Sequence, residues 1–147
     1  KGDITTSAVI LELLKYDVPV SIPWGDNLRY DLVIELKNKL YKVQCKTAHK
    51  VGNSINFKIC STYSQGSRIK QNRLYHGEVD YFAVYCISLS SVFLVPFSDA
   101  THLKSSFTLS INTPKNNQKL KVREASRYII ANVVKPNIEV TPKPLLL

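Results

Sequence analysis
The stretch from Tyr30 to Thr47 constrains the fold more than any other. It reads as two strands of alternating residues, Tyr30 to Leu36 and Leu40 to Thr47, joined by a short turn placed at Asn38-Lys39. Side chains alternate between the two faces of a strand, so burial of one face selects the pairing register. With Lys37 facing Leu40, the residues Leu32, Ile34 and Leu36 face Cys45, Val43 and Tyr41 on an apolar side. The other side then carries Asp31 opposite Lys46, Val33 opposite Gln44, and Glu35 opposite Lys42. A slip of one residue would scramble both faces. Burial therefore gathers an acid, an amide and a lysine on one face of a hairpin.

The rest of the chain supplies the material to cover that hairpin. Asp3 to Lys15 reads as a helix with Ile4, Ala8, Leu11 and Leu14 at helical spacing, widened by Val9, Ile10 and Leu13. Asp17 and Pro19 stop it. Val18 to Ile22 is a short strand, and Pro23 to Asn27 a turn-rich loop. Ile55 to Cys60, Asp80 to Ser88, Ser91 to Pro96 and Phe107 to Ile111 read as strands, with Leu89-Ser90 as a turn. Ser98 to Lys104 is a candidate short helix, Asn112 to Gln118 a loop, and Arg123 to Val133 a second helix. The expected fold class is α/β: a mixed β-sheet flanked by helices, with the first helix on one face and the later one on the other. Residues 1–135 are expected to form one domain, and 136–147 a proline-punctuated tail ending in Leu145-Leu146-Leu147, a candidate oligomer contact.

The chain has 147 residues, enough for a single hydrophobic core, and 44% of them are apolar. Its net charge of +9 favours polyanionic partners. No apolar run approaches the ~20 residues of a membrane span, so no membrane role is expected. The first apolar stretch, Ala8 to Leu14, contains Glu12 and lacks a cleavage site after it, which argues against a signal peptide. Three widely spaced cysteines, Cys45, Cys60 and Cys86, form no CxxC, and His49, His76 and His102 show no zinc spacing. Reduced, buried thiols in a cytoplasmic protein are the expectation.

The polar face of the hairpin has the ingredients for phosphodiester hydrolysis. That reaction needs a metal ion on the scissile phosphate and an activated water. Mg²⁺ prefers oxygen ligands and retains several waters, so few protein ligands suffice. Asp31 offers a carboxylate, Gln44 an amide oxygen, and Cys45 its backbone carbonyl between Gln44 and Lys46. The Lys46 ammonium is suited to favour hydroxide and to stabilise a negative phosphorane.

Asp31 followed by Gln44-Cys45-Lys46 resembles the acid…(D/E/Q)xK arrangement of the PD-(D/E)xK nucleases, whose fold is restriction endonuclease-like. A longer run narrows the resemblance: Lys1-Gly2-Asp3, then Ser21 to Val33, then Leu40 to Thr47. Together these are similar to the bacterial group I intron-encoded homing endonucleases. The resemblance implies double-strand DNA cleavage at an intron-insertion site by a homo-oligomer, a dimer or tetramer, with Mg²⁺ or with Mn²⁺ as a substitute. It also implies a bacterial protein that works at DNA. Two departures stand out. Gln44 replaces an acid, and Thr6 stands where many relatives carry a glutamate on the first helix. Glu12 is the candidate replacement for that glutamate, although it lies about 240° round the helix from Thr6, at about 100° per residue.

DNA contact is expected from several places. Arg29 either touches phosphate or holds its loop. The insertion 61–77 is rich in residues that bond bases in pairs: Arg68, Lys70, Gln71, Asn72 and Arg73. Lys50, Lys121 and Arg123 suit phosphate. A Holliday-junction resolvase, a restriction-type nuclease, or a non-catalytic DNA-binding module would share much of this pattern.

Overall fold
The computed structural model describes residues 2–64, 66, 70–112 and 122–134. Helix α1 (Gly2–Lys15) is followed by strands β1 (Val20–Ser21), β2 (Leu32–Leu36), β3 (Lys39–Val51) and β4 (Ser54–Lys58). Strands β5 (Cys60–Ser64) and β6 (Lys70–Leu74) then form a separate two-stranded ribbon. Next come β7 (Tyr81–Cys86), β8 (Ser91–Pro96) and β9 (Ser106–Ser110), and the described part closes with α2 (Ile130–Val134). The large sheet runs β1-β2-β3-β4-β9, with β7 joined to β3 and β8 joined to β7. All its pairings are antiparallel except β3 with β7, which is parallel. This is the mixed sheet with flanking helices that the sequence implies.

Strict alternation places the core. In β7 and β8, Phe82, Val84, Phe93 and Val95 point to one side, while Ala83, Val92 and Leu94 point to the other. The first side is filled by Ile55, Phe57, Phe107 and Leu109. Phe57 stacks at 5.5 Å from Phe107 and 5.9 Å from Phe82. The second side is covered by α1 through Val9 and Leu13, which pack with Leu32, Ile34, Val43 and Cys45. Two apolar faces on one sheet account for the near-continuous apolar sequence of β7 and β8.

The hairpin differs from expectation by a two-residue shift. Leu32 pairs with Val43, Ile34 with Tyr41, and Leu36 with Lys39. The turn is Lys37-Asn38, with φ of 50° and 63°. Positive φ at both central residues is the twist-matching two-residue turn that right-twisted strands prefer. A shift of two preserves every face, so the apolar and polar sides stand as expected. The pairs themselves change. Glu35 lies opposite Leu40 and Val33 opposite Lys42. Asp31 falls opposite Gln44 rather than Lys46.

The helices also depart from the expected arrangement. On α1 the buried positions are Thr5, Val9 and Leu13, whereas Ile4, Leu11 and Leu14 are exposed. The apolar residues surround this helix almost completely, so periodicity selected the wrong stripe. The segment expected as one helix from Arg123 to Val133 is a 3₁₀ turn (Ala125–Arg127) and then the short α2. Ala125 and Tyr128 pack in the first core, while Ile130 and Val134 pack in the second beside α1. The chain crosses the edge of β8 here, with Ile129 bridging Phe93. The later helix therefore lies on the same face as α1. The candidate helix at Ser98 reduces to a 3₁₀ turn, Phe97–Asp99. Most of the loop 112–118 and the whole tail 136–147 lie outside the described residues. Among the described residues no helix is long and apolar enough to cross a membrane.

The turn offers a direct check on the register. Replacing Lys37-Asn38 with Asn-Gly should relieve left-handed strain and raise stability by about 1 kcal/mol. Urea denaturation should show a higher midpoint with an unchanged slope. A lower midpoint would contradict the observed turn.

Candidate active site
Unequal strand lengths create the site. β2 ends its pairing with β3 at Val43, and β4 begins opposite His49. Between them, Gln44 to Ala48 pair with β7 alone. Asp31 lies just before β2, at the point where the β2–β3 ladder stops. Its N–H donates to the Val43 carbonyl at 2.8 Å. Its Oδ2 accepts from the Cys45 N–H at 2.9 Å and from Gln44 Nε2 at 2.7 Å. The carboxylate thus replaces a missing strand partner, and this fixes its direction.

Gln44 Nε2 also approaches the Cys45 carbonyl at 3.4 Å. The positively polarised Gln44 NH2 group therefore donates to two oxygens, Asp31 Oδ2 and Cys45 O. That is where a cation would be attracted. A half-turn of the Gln44 amide exchanges its nitrogen for its oxygen at the same place. A carboxylate, an amide oxygen and a backbone carbonyl are hard donors, and they fit a divalent ion such as Mg²⁺. Among the described residues no group of three or more His, Cys, Asp or Glu gathers as a metal site. The donors gathered at Asp31 are mixed rather than acid-rich.

Lys46 shares the strand face with Gln44, but among the described residues it forms no ion pair with Asp31. Its Nζ donates to the Cys60 carbonyl at 3.1 Å and to the Tyr75 hydroxyl at 3.0 Å. It also lies 4.8 Å from the Tyr75 ring centroid. The sequence alone does not single out Tyr75 as a partner. The one available signal was an aromatic residue at the end of a polar insertion.

Helix α1 meets β3 through hydroxyls. Thr5 and Thr47 share a hydrogen bond of 2.6 Å, and the Thr6 hydroxyl lies close enough to the Cys45 thiol to counter part of the rise in its pKa. Thr6 thus stands beside the candidate site with a hydroxyl in place of a carboxylate. Glu12 pairs with Lys15 at 2.9 Å on the same helix. No hydrogen bond or ion pair among the described residues brings Glu12 to Asp31, Gln44 or Lys46.

Arg29 is committed within the chain. Its Nε bonds Glu78 at 2.6 Å, one terminal nitrogen bonds Ser61 Oγ at 2.7 Å, and the other bonds the Leu74 carbonyl at 3.1 Å. Its guanidinium stacks 4.1 Å from the Tyr75 ring centroid. Of the two roles open from sequence, holding the loop is the one this geometry carries. Glu78 also binds Arg73 at 2.7 Å, and the Arg29 bond holds its carboxyl below the usual carboxylate range.

Within 61–77, β5 pairs with β6 as a ribbon, in register from Cys60–Leu74 to Ser64–Lys70. Asn72 and Lys50 are exposed. Lys70 and Gln71 lie in β6, but their side chains, like Arg68 and Lys121 altogether, lie outside the described residues. Arg123 lies over Phe107 at 4.5 Å and meets His102 at 3.1 Å. An open cleft of about 230 Å³ lies between the ribbon and β9, lined by Asn56, Lys58, Asn72 and Ser105.

Cys45, Cys60 and Cys86 are free and buried. Burial, aided by the nearby Asp31 charge, pushes the Cys45 thiol up to about 12 from its usual 9.0. Burial and a bond to Asp99 raise Tyr128 from 10.0 to about 12. Both groups favour the protonated fold. Their stabilisation is complete below pH 9, where the unfolded chain also keeps its protons. It is lost as pH rises from 9 towards 12, where only the unfolded chain ionises. Thermal unfolding should therefore fall across that window, and less steeply in Cys45→Ala. An equal slope in the variant would rule out this role for the thiol.

The family profile described as PD-(D/E)XK endonuclease matches residues 1–131. Among solved structures, the bacterial homing endonuclease I-Ssp6803I superposes with a TM-score of 0.69, at 24% identity, over 97% of each chain. At that identity the likeness carries the fold. No curated protein matches the chain significantly. With the profile spanning α1, the whole sheet and the Asp31–Lys46 constellation, the chain belongs to the PD-(D/E)XK endonucleases.

Proposed function
We propose that this protein is a homing endonuclease that makes double-strand breaks in DNA at an intron-insertion site by metal-dependent phosphodiester hydrolysis. The observation that carries this reading is the convergence of Asp31 Oδ2, the Gln44 amide and the Cys45 backbone where β2 gives out. The structural relative is itself described as a bacterial homing endonuclease.

Asp31, Gln44 and the Cys45 carbonyl would hold the metal, with Mg²⁺ the natural occupant and Mn²⁺ a substitute. When bound, the ion supplies positive charge at the scissile phosphate and lowers the pKa of its water. Asp31 is oriented before any ion arrives, because the Cys45 N–H fixes Oδ2. Lys46 contributes a positive charge two residues from Gln44 on the same face, where it favours hydroxide and the negative phosphorane. The ribbon β5–β6 offers Asn72 for base reading, and Lys50 is exposed and suited to phosphate.

Cutting both strands calls for an even number of such sites, and this argues for a dimer or tetramer with a partly two-fold target. Exposed apolar residues support self-association. Ile4, Leu11 and Leu14 share one face of α1, and Trp24 is fully exposed with Ile22 beside it. Leu11→Glu with Leu14→Glu should lower the mass seen by light scattering. An unchanged mass would remove α1 from the interface.

The deciding experiment incubates the pure protein with long duplex DNA carrying candidate intron-insertion sequences, with Mg²⁺ or with EDTA. Discrete fragments are expected only with the metal. Asp31→Asn and Lys46→Ala should each slow cleavage by on the order of 10²–10³-fold. Tight binding without cleavage would point instead to a non-catalytic DNA-binding module. Cleavage of branched junctions alone would point to a resolvase.

A further inference from the structure
We propose that Tyr75 is a positioning residue that holds the Lys46 ammonium and ties its place to the base of the β5–β6 ribbon. The inference rests on the nuclease reading above for its catalytic consequence, but its geometry is independent of it. Cys60 opens β5, Leu74 closes β6, and the two pair across the ribbon's base. Tyr75 follows immediately. Lys46 therefore donates one hydrogen bond to each leg: to the Cys60 carbonyl at 3.1 Å and to the Tyr75 hydroxyl at 3.0 Å.

Tyr75 is itself firmly placed. It is 3% exposed, and its ring meets Phe82 edge-on at 5.7 Å. Two cations attend the same ring, Arg29 at 4.1 Å and Lys46 at 4.8 Å. Arg29 also reaches both legs, through Ser61 on β5 and the Leu74 carbonyl on β6. The ribbon's base, Tyr75 and Lys46 thus form one packed unit.

The physical reason for such a holder is the lysine stem. Four rotatable carbons leave the ammonium many positions, and about 2 kcal/mol of rotamer freedom opposes any single one. A cation over an aromatic face, with a hydroxyl and a carbonyl as acceptors, selects one. Because one acceptor belongs to β5 and the other adjoins β6, a shift of the ribbon on DNA moves the ammonium with it. A plain core tyrosine would contribute packing and nothing at Lys46.

Two variants separate these possibilities in the full chain. Tyr75→Phe keeps the ring and removes the hydroxyl, and Tyr75→Leu removes both. Duplex affinity is measured in EDTA, and single-turnover cleavage with Mg²⁺ at saturating protein. For Tyr75→Phe, affinity should stay within about twofold of the parent protein. Cleavage should slow by about 10- to 100-fold, as expected when a reacting group moves by about 1 Å. Tyr75→Leu should be slower still. Cleavage at the parent rate in Tyr75→Phe would overturn the proposal, as would a loss matched by an equal loss of affinity. A second measurement needs no activity: carbon-13 relaxation at the Lys46 ε-methylene without DNA. The methylene should become more mobile in Tyr75→Phe, and unchanged order would overturn the proposal. If the parent protein cuts no duplex, the nuclease reading falls, and the lysine's mobility still decides whether Tyr75 holds it.

Discussion
The run of β3 beyond its antiparallel partner is the constraint on which the rest depends. A strand flanked on both sides has its backbone groups consumed by the sheet. Here β2 stops opposite Val43, and the Cys45 amide would be left without a sheet partner on that side. The Asp31 carboxylate takes that amide. An unsatisfied backbone donor and an oriented acid are therefore two descriptions of one interaction. The opposite side of β3 must meanwhile stay in register with β7, since Val43 and Cys45 pack under α1 with Ala83. The core thus sets the height of Gln44 and Lys46, and the early end of β2 exposes them.

The ribbon β5–β6 lies outside the main sheet, so its orientation has to come from side chains. Arg29 and Lys46, both set against Tyr75, supply it. Glu78 completes the arrangement by joining Arg29 to Arg73. Charges within about 5 Å of an aromatic ring and bonded to part-buried carbonyls hold geometry better than exposed pairs such as Lys15–Glu12.

Alternation made the two faces of the hairpin legible in advance, because a register error of two residues leaves each side chain on its own face. The same error hid the neighbours. Asp31 was set against Lys46, whereas the turn at Lys37-Asn38 brings it to Gln44. Turn placement was open because neither position carries glycine, the usual marker of positive φ. On α1, apolar residues at Ile4, Leu11 and Leu14 as well as Val9 and Leu13 give no single stripe, so only packing reveals the buried one. The contacts of Arg29 and Lys46 with Tyr75 span long sequence separations, and no local pattern encodes them.

The placing of Lys46 has an electrostatic logic. Asp31 and Lys46 lie on one face of one hairpin, and opposite charges there would be drawn together. An ion pair between them would be worth no more than about 1 kcal/mol on a half-exposed surface. It would nonetheless neutralise the acid that the proposed function assigns to a metal and the cation it assigns to phosphate. Asp31 is satisfied instead by two N–H donors that carry no net charge, from Gln44 and Cys45. Lys46 is satisfied by a hydroxyl, a carbonyl and a ring, none of which neutralises it. Each charge is hydrogen-bonded and neither is cancelled. The proposed function uses both, the acid for a metal ion and the cation for phosphate.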